Sequence, residues 1–534
     1  MKNSKSVFVV CENARIHTLD PGLPEAGSLL CHNGRIIGIY REKHPSLSGF
    51  GEPRRIDCRN LHMFPAFTDS HIHLYDLGVQ LGTIDVSAAR TEQEAVEILK
   101  QHAGNVSPGE WIRGSRWGHN LWKPPALPRK ESLDNAFPDN PVFLKSKCGH
   151  LLWANSAAFE KAGITPETHN PYGGQIDIDP QTGELTGILK EDASDLLLEK
   201  IEEPSIERKK DFLRKAASHL HRFGIVNVHA SELIDAFKII QQVQKENYPV
   251  RVLAFLPCSR LDHFIASGLQ SGFGSDYLRF GGIKVFVDGS LGGRTAWMYE
   301  PYDTEPDNLG IQLSTEEDLM DIMHRAGKAN ISAMTHAIGD RAVDLILKVY
   351  RKTGASKSIH NGIMNRIEHF QLLTEQSAGN LSGLNVVASM QPVHLFSDWS
   401  AGNQFWGERS RYAYALATMK EAGLPMVLGS DGPVEPVNPL WGMYAAITRQ
   451  DLDGNPEGGW YPMEKISALD AMKAYTINPA KIAGEDQRKG SLTTGKYADF
   501  VLMEKNPLEE NPEEWKNSEI LATAFEGELV YSKL

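Results

Sequence analysis

The chain has 534 residues, 41% hydrophobic and 23% charged, an ordinary balance for a soluble globular protein and enough for one large barrel with additions. Its formal charge of −13 argues against a nucleic-acid partner, and no stretch approaches the roughly 18 apolar residues a membrane helix needs. The apolar patch at 7–10 is too short for a secretory signal, and the cysteines at 11, 31, 58, 148 and 258 form no Cys-x-x-Cys, so they read as free thiols of a reducing cytosol.

The first sixty residues alternate apolar and polar positions around turn signals, as at 6–10, Asn33-Gly34 and 35–40, which predicts antiparallel β structure. From there to about 430, strand-like apolar runs alternate with helical segments, the pattern of parallel βα units. The candidate strands are 63–68, 225–229, 250–255, 283–287, 332–335, 366–368, 386–389 and 426–428, with helical patterns between them at 208–222, 315–330 and 341–352. Eight strands close a TIM-type barrel. The long interval before the second strand has its own strand-like runs at 111–115 and 142–146 and a glycine-rich stretch at 172–187, which predicts an α/β subdomain inserted at about 80–200 over the barrel mouth. The last strand-like runs, 499–503 and 520–530, repeat the flavour of the first sixty residues. The expected fold is therefore α/β: a (β/α)8 TIM-type barrel at 63–485 with an inserted subdomain, and a small β-sandwich domain formed by both termini, 1–62 and 486–534.

Chemistry concentrates where these strands end. His71 and His73 close the first; residues two apart on a strand point the same way, so both imidazoles aim at one place, and imidazole suits zinc and similar cations. Lys284 lies in the fourth strand, His336 ends the fifth, His369 the sixth and Asp431 the eighth. A single strand-end histidine is more often structural, a lysine more often a surface cation and an Asp-Gly more often a turn. Several such sites on the right strands of one barrel are hard to produce by chance, because catalytic groups of this fold sit at the C-terminal strand ends.

The pattern resembles the amidohydrolase superfamily, and within it the YtcJ-like branch (amidohydrolase family 3), which includes N-substituted formamide deformylases. The likeness runs along nearly the whole chain, through Gly149-His150 with Asn155-Ser156-Ala157, Asp288-Gly289-Ser290-Leu291-Gly292, His336-Ala337-Ile338-Gly339-Asp340-Arg341, Gln391-Pro392, Gly429-Ser430-Asp431 with Pro433-Val434-Glu435-Pro436, and Lys489-Gly490-Ser491-Leu492 with Ala498-Asp499-Phe500. The resemblance implies one or two divalent cations, zinc by expectation. His71, His73 and Asp431 would hold one, and His336 and His369 the other. Lys284, carboxylated on its amine, would bridge them, since a carbamate spans two metals about 3.5 Å apart. It further implies hydrolysis of a non-peptide C–N bond, an amide or formamide of a small molecule, by a metal-bound hydroxide. Asp431 would act as general base and then acid. Hydrolysis of an ester, lactone or carbamate at the same site is the alternative. An inactive barrel serving as a regulator is a weaker one, because all six metal-site positions are intact.

Further candidates surround this set. His229 ends the second strand, where it touches substrate or supports the ligands from behind. His150 caps the site or binds the substrate carbonyl; Asp288 and Arg294 bind a polar substrate group or order the loop through Gly289, Gly292 and Gly293; Gln391 offers a polar contact after the seventh strand; Asp340 reads as a helix N-cap. Trp111, Trp117, Trp122 and Trp153 in the insertion, with Trp297 and Trp399, line an aromatic mouth or serve as packing. No Walker loop, Gly-x-Gly-x-x-Gly or Gly-x-Ser-x-Gly is present. The expected partner is a small molecule in the cytoplasm, with no nucleic acid or membrane, and a homodimer is the default assembly.

Overall fold

The structure, a computed structural model, describes residues 8–46, 53–104, 106–119, 122–146, 151–171, 173–201, 203–355 and 359–534. The chain forms two compact units: Met1–Tyr75 with Ala216–Leu534, and Asp76–Lys215.

The first unit is built on a parallel eight-stranded barrel of the TIM type. Its strands are β1 (Phe67–Ile72), β2 (Ile225–Ser231), β3 (Arg251–Pro257), β4 (Leu278–Phe286), β5 (Ser332–Ala337), β6 (Arg366–His369), β7 (Val387–Met390) and β8 (Met426–Leu428), each beside the next. A bridge between Ile72 and Gly432 brings the end of β8 back to β1. Strands such as β2 and β5 are buried along their whole length. That is why they read as apolar runs without alternation: a parallel sheet is covered on both faces. Helices fill the crossovers. Thr315 starts Glu316–Lys328 with a reciprocal capping box to Asp318. Asp340–Thr353 buries Ala342, Val343, Ile346, Val349 and Tyr350 along one side. Its N-cap is Gly339, not Asp340; a Cβ on Gly339 would sit 2.1 Å from the Trp297 carbonyl oxygen, so this close approach excludes a larger cap. Asp340 instead occupies the first helical position and accepts the Tyr299 N–H at 3.0 Å.

The expected first strand, 63–68, is two strands. His62–Pro65 lies in a different sheet, between Arg15–His17 and Phe500–Met503, and the chain enters the barrel only at Phe67. Pro65 has no N–H to continue the ladder, so the apolar run is cut there. That six-stranded sheet unites segments from both ends of the chain, with Glu25–Ala26, Ile520–Phe525 and Glu528–Ser532 as its other members. A four-stranded sheet of Phe8–Glu12, Ser28–His32, Arg35–Tyr40 and Arg54–Asp57 turns at Asn33-Gly34, both left-handed. The two sheets share a core that includes Val9, Leu29, Met63, Phe500 and Leu502.

The second unit has its own mixed six-stranded sheet, in the spatial order Gly174–Ile178, Leu185–Glu191, Leu151–Ala154, Val142–Ser146, Ile112–Trp117, Ile84–Asp85. Trp117, Trp122 and Trp153 belong to its core, with ring centroids 5.9–6.3 Å apart. Two of their indole N–H groups donate to the Leu144 and Arg129 carbonyls at 2.9 Å. These rings pack on one another within this unit. Among the described residues no helix is long and apolar enough to cross a membrane.

One buried cation fastens the barrel to the terminal sheet. Arg251, at the start of β3 and 2% exposed, donates to Asp499 at 2.5 Å and Glu526 at 2.7 Å, with its guanidinium 3.9 Å from the Tyr497 ring and 4.2 Å from that of Phe525. Arg251→Ala strands Asp499 as a buried unpaired charge and is expected to cost about 3–5 kcal/mol in urea unfolding. A loss below about 1 kcal/mol would show that the clamp is not structural.

Candidate metal centre

The six side chains that the strand ends offer meet in one place. The Nε2 atoms of His71 and His73 lie 3.3 and 3.4 Å from the same oxygen of Asp431, Oδ1. Lys284 Nζ is 3.4 Å from His71 Nε2. The His336 and His369 rings stand edge to face, 4.6 Å between centroids, and the His369 ring is 5.2 Å from that of His71. Donor atoms of His71, His369 and Asp431 all fall within 4.8 Å of one another, and all three residues are buried.

The backbone makes this convergence possible. Asp431 N donates to His71 O at 2.7 Å and His73 N to Gly432 O at 2.8 Å, so the end of β1 and the turn after β8 are tied together. Gly429 lets them approach; a Cβ there would meet His71 N at 2.5 Å and Asp69 Oδ1 at 2.8 Å. Buried Asp69 latches the same junction, accepting from the backbone N–H groups of His71 at 3.1 Å and Ser430 at 3.0 Å. Asp431 and His369 both adopt left-handed backbone, φ 60° and 63°. Such conformations cluster at functional sites.

Below the ligands lies a buried ion pair. Arg366 and Glu368, both 0% exposed, pair directly on β6. Arg366 also donates to the Ser70 carbonyl on β1 and, from Nη1, to His229 Nδ1 on β2 at 3.0 Å; Glu368 accepts from Ser389 Oγ on β7 at 2.7 Å and from His71 Nδ1. Burial opposes ionisation of Glu368, but Arg366 and then His71 outweigh it and bring its pKa down to about 2. An ionised acceptor on Nδ1 keeps a proton on that nitrogen; burial and Lys284 oppose the charged imidazole, but Glu368 and Asp431 outweigh them and raise the His71 pKa, so Nε2 is the nitrogen that faces Asp431 and that a cation would claim. His336 is oriented in the same sense by a backbone carbonyl, Gly289 O, 2.8 Å from its Nε2. Such partners fix the tautomer of metal-binding histidines.

Burial, reinforced by the Lys284 cation, lowers His336 to about 3; burial and then His336 hold His369 well below its usual value. Both are therefore neutral donors at any moderate pH. Asp431 is ionised: burial pushes it upward, but His71 and His73 outweigh that and hold it well below the carboxylate range. Burial lowers Lys284 to about 8, against the pull of Glu368 and Asp431. Neutral imidazoles at His336 and His369, an ionised carboxylate and an amine that loses its proton readily are a donor set that fits a divalent cation.

The other sequence candidates are placed differently. His229 is inside the barrel; Nδ1 accepts from Arg366, so Nε2 carries the proton, and it has no hydrogen-bond partner. Asp288, 1% exposed, spends its carboxylate on the N–H groups of Trp297, Ile338 and Gly339 at 2.8–3.0 Å, which orders the loops after β4 and β5. Arg294 pairs with Glu305 and lies 5.5 Å over the Phe405 ring. Gln391 is buried after β7, with Nε2 on Ser389 O at 3.3 Å and Oε1 unpartnered. His150 lies outside the described residues. Sequence reasoning passed over Glu368, Arg366, Ser389, Asp69 and His394, whose Nε2 lies 3.7 Å from Asp431 Oδ2. The available signal was Arg-x-Glu inside an apolar barrel strand, two charges with nowhere to go but inward.

The model of the Amidohydrolase family matches residues 54–531. The chain belongs to the amidohydrolase family. Within it, the chain falls in the YtcJ-like branch. It is 32% identical to "Protein LONG AFTER FAR-RED 3" of Arabidopsis thaliana, over 97% of this chain and 91% of that one. It is 30% identical to "Putative amidohydrolase YtcJ" of Bacillus subtilis (strain 168), over 91% and 92%. It is 25% identical to "N-substituted formamide deformylase" of Arthrobacter pascens, over 98% of each. Among solved structures, an uncharacterized metal-dependent hydrolase from Pyrococcus horikoshii OT3 superposes with a TM-score of 0.77 at 27% identity, covering 95% of this chain and 99% of that one.

Glu368 is depressed from 4.5 to about 2 on folding, so its stabilisation is complete above pH 4.5 and is lost as pH falls toward 2. Glu368→Gln is expected to flatten that acid-side loss in urea midpoints measured across this window. It is also expected to weaken divalent-metal binding about 10- to 100-fold by calorimetry, in protein with wild-type circular dichroism. Unchanged metal affinity would show that this carboxylate does not set His71.

Proposed function

We propose that the chain is a metal-dependent hydrolase of a non-peptide C–N bond, an amide or formamide of a small molecule. The observation that carries this reading is Asp431: one oxygen faces His71 and His73 at 3.3 and 3.4 Å, while the other is left for proton transfer. His71, His73 and Asp431 would hold one cation, zinc by donor type, and His336 and His369 a second. Lys284 would bridge them as a carbamate. In support, its amine is buried, has no ion-pair partner among the described residues, and is lowered by burial to about 8, so that a neutral fraction is available to capture carbon dioxide. When bound, the cation supplies Lewis acidity for the carbonyl and acidifies water.

The chain's own residues do the rest. Asp431 takes the proton from water as the water oxygen bonds to the carbonyl carbon. It returns that proton to the nitrogen as the C–N bond breaks, and so ends ionised as it began. Glu368 and Gly289 O keep the imidazole lone pairs of His71 and His336 aimed inward throughout. The N-substituted formamide deformylase among the relatives supports a C–N bond as the target.

The test is a substrate panel with metal-loaded protein. Amine release from secondary amides or N-substituted formamides is expected. Chelation should abolish it, zinc should restore it, and Asp431→Asn should lower it by about 10²- to 10⁴-fold. Turnover confined to esters or lactones would overturn the C–N assignment, and undiminished turnover in metal-free protein would overturn the mechanism. Lys284→Ala is expected to lose the second equivalent of metal and to regain activity with added propionate, a free carboxylate standing in for the carbamate.

A further inference from the structure

His394 is a polar side chain near this centre with no role in the account above. It closes the short turn Pro392–His394 directly after β7, and Leu395–Phe405 begins at the next residue. The turn is held by His394 N donating to Gln391 O at 3.1 Å and by Ser397 Oγ donating to His394 O at 3.2 Å. Ser397 also lies 3.3 Å from Glu435, on the turn that follows Asp431, so the two loops are joined below the imidazole. The backbone of His394 is thus anchored on both sides while its ring points at the ligands, 6.0 Å from the His369 ring.

Its Nε2 is buried and has no hydrogen-bond partner. Oδ2 of Asp431 lies 3.7 Å from it. The two oxygens of this carboxylate therefore have different surroundings. Oδ1 faces His71 and His73; Oδ2 faces His394. A buried polar nitrogen left without a partner costs about 1–3 kcal/mol, and catalytic hydrogen bonds that are long in a free enzyme commonly tighten when ligand is bound. A modest rotation of either side chain closes this one.

We propose that His394 is a positioning residue for Asp431: its Nε2–H holds Oδ2 so that this oxygen, and not Oδ1, carries the travelling proton. The inference rests on the hydrolase reading above and deepens it. Oδ2 gains the proton when water adds to the carbonyl carbon and gives it up to the leaving nitrogen, so Asp431 returns to its starting state. The same geometry explains why one carboxylate can serve as ligand and as proton carrier without its two oxygens exchanging places.

The test separates proton acceptance from simple occupancy. Protein loaded with Co(II) is titrated with two probes and followed by its visible absorption. Acetohydroxamic acid must surrender a proton on binding; acetate carries none. His394→Ala is expected to weaken acetohydroxamic acid by about tenfold or more, while acetate affinity and the probe-free Co(II) spectrum stay at wild-type values. His394→Gln, which keeps an N–H donor, is expected to recover most of the loss, and Asp431→Asn to abolish the difference between the probes. Unchanged acetohydroxamic acid binding in His394→Ala overturns the proposal. So does equal weakening of both probes with an altered probe-free spectrum, which would assign His394 to the architecture of the metal site. Wild-type protein that takes up no Co(II) would instead sink the hydrolase reading, and this inference with it.

Discussion

The centre depends on one buried contact, the carboxylate of Glu368 against His71 Nδ1. Through it the charge of Arg366 is felt at His71: the guanidinium keeps Glu368 ionised, Glu368 keeps a proton on Nδ1, and Nε2 is turned toward Asp431. A buried ion pair of this kind is weak evidence for stability, because desolvation of both charges offsets their attraction. Its partners on β1, β2 and β7 point to a different use. It registers strands from around the barrel with one another at the level just beneath the donors.

Precision at the donors is built in two further ways. Asp69, Gly429 and the pairing of Asp431 N with His71 O make the β1–β8 junction a fixed frame, so that His71 and His73 at the end of β1 face one oxygen of Asp431 after β8. Left-handed backbone then turns His369 and Asp431 out of the strand alternation. On β6, Arg366 and Glu368 face inward by the period of two. His369, the next residue, would face outward if the strand simply continued. Its φ of 63° sends it inward as well, above its neighbour.

This also explains what was legible in the sequence. The barrel was, because buried parallel strands are uninterrupted apolar runs, and so was the meeting of six polar side chains, because each interrupts or closely follows such a run. The first strand was misjudged because two strands of different sheets abut at Pro65 and Ala66, and apolar content does not record a change of sheet. Asp340 looked like a cap because Asp is a good one, but the close approach of the Trp297 backbone reserves the position before it for glycine. Glu368 escaped notice because in sequence it is only the neighbour of a histidine; its contact with His71 joins residues 297 positions apart. His394 escaped because it follows a strand by a turn, where no periodicity marks direction.

The left-handed backbone at His369 and Asp431 restricts which metals this scaffold can be retuned to accept. That conformation is tolerated by Asn, Asp and His and strongly resisted by β-branched or bulky side chains. Softening the centre with thiolates, or enlarging its oxygen count with longer acids, is therefore open at His71, His73 and His336, where the backbone is ordinary strand or lies just beyond it. At the other two positions the vocabulary is nearly exhausted by the residues already there.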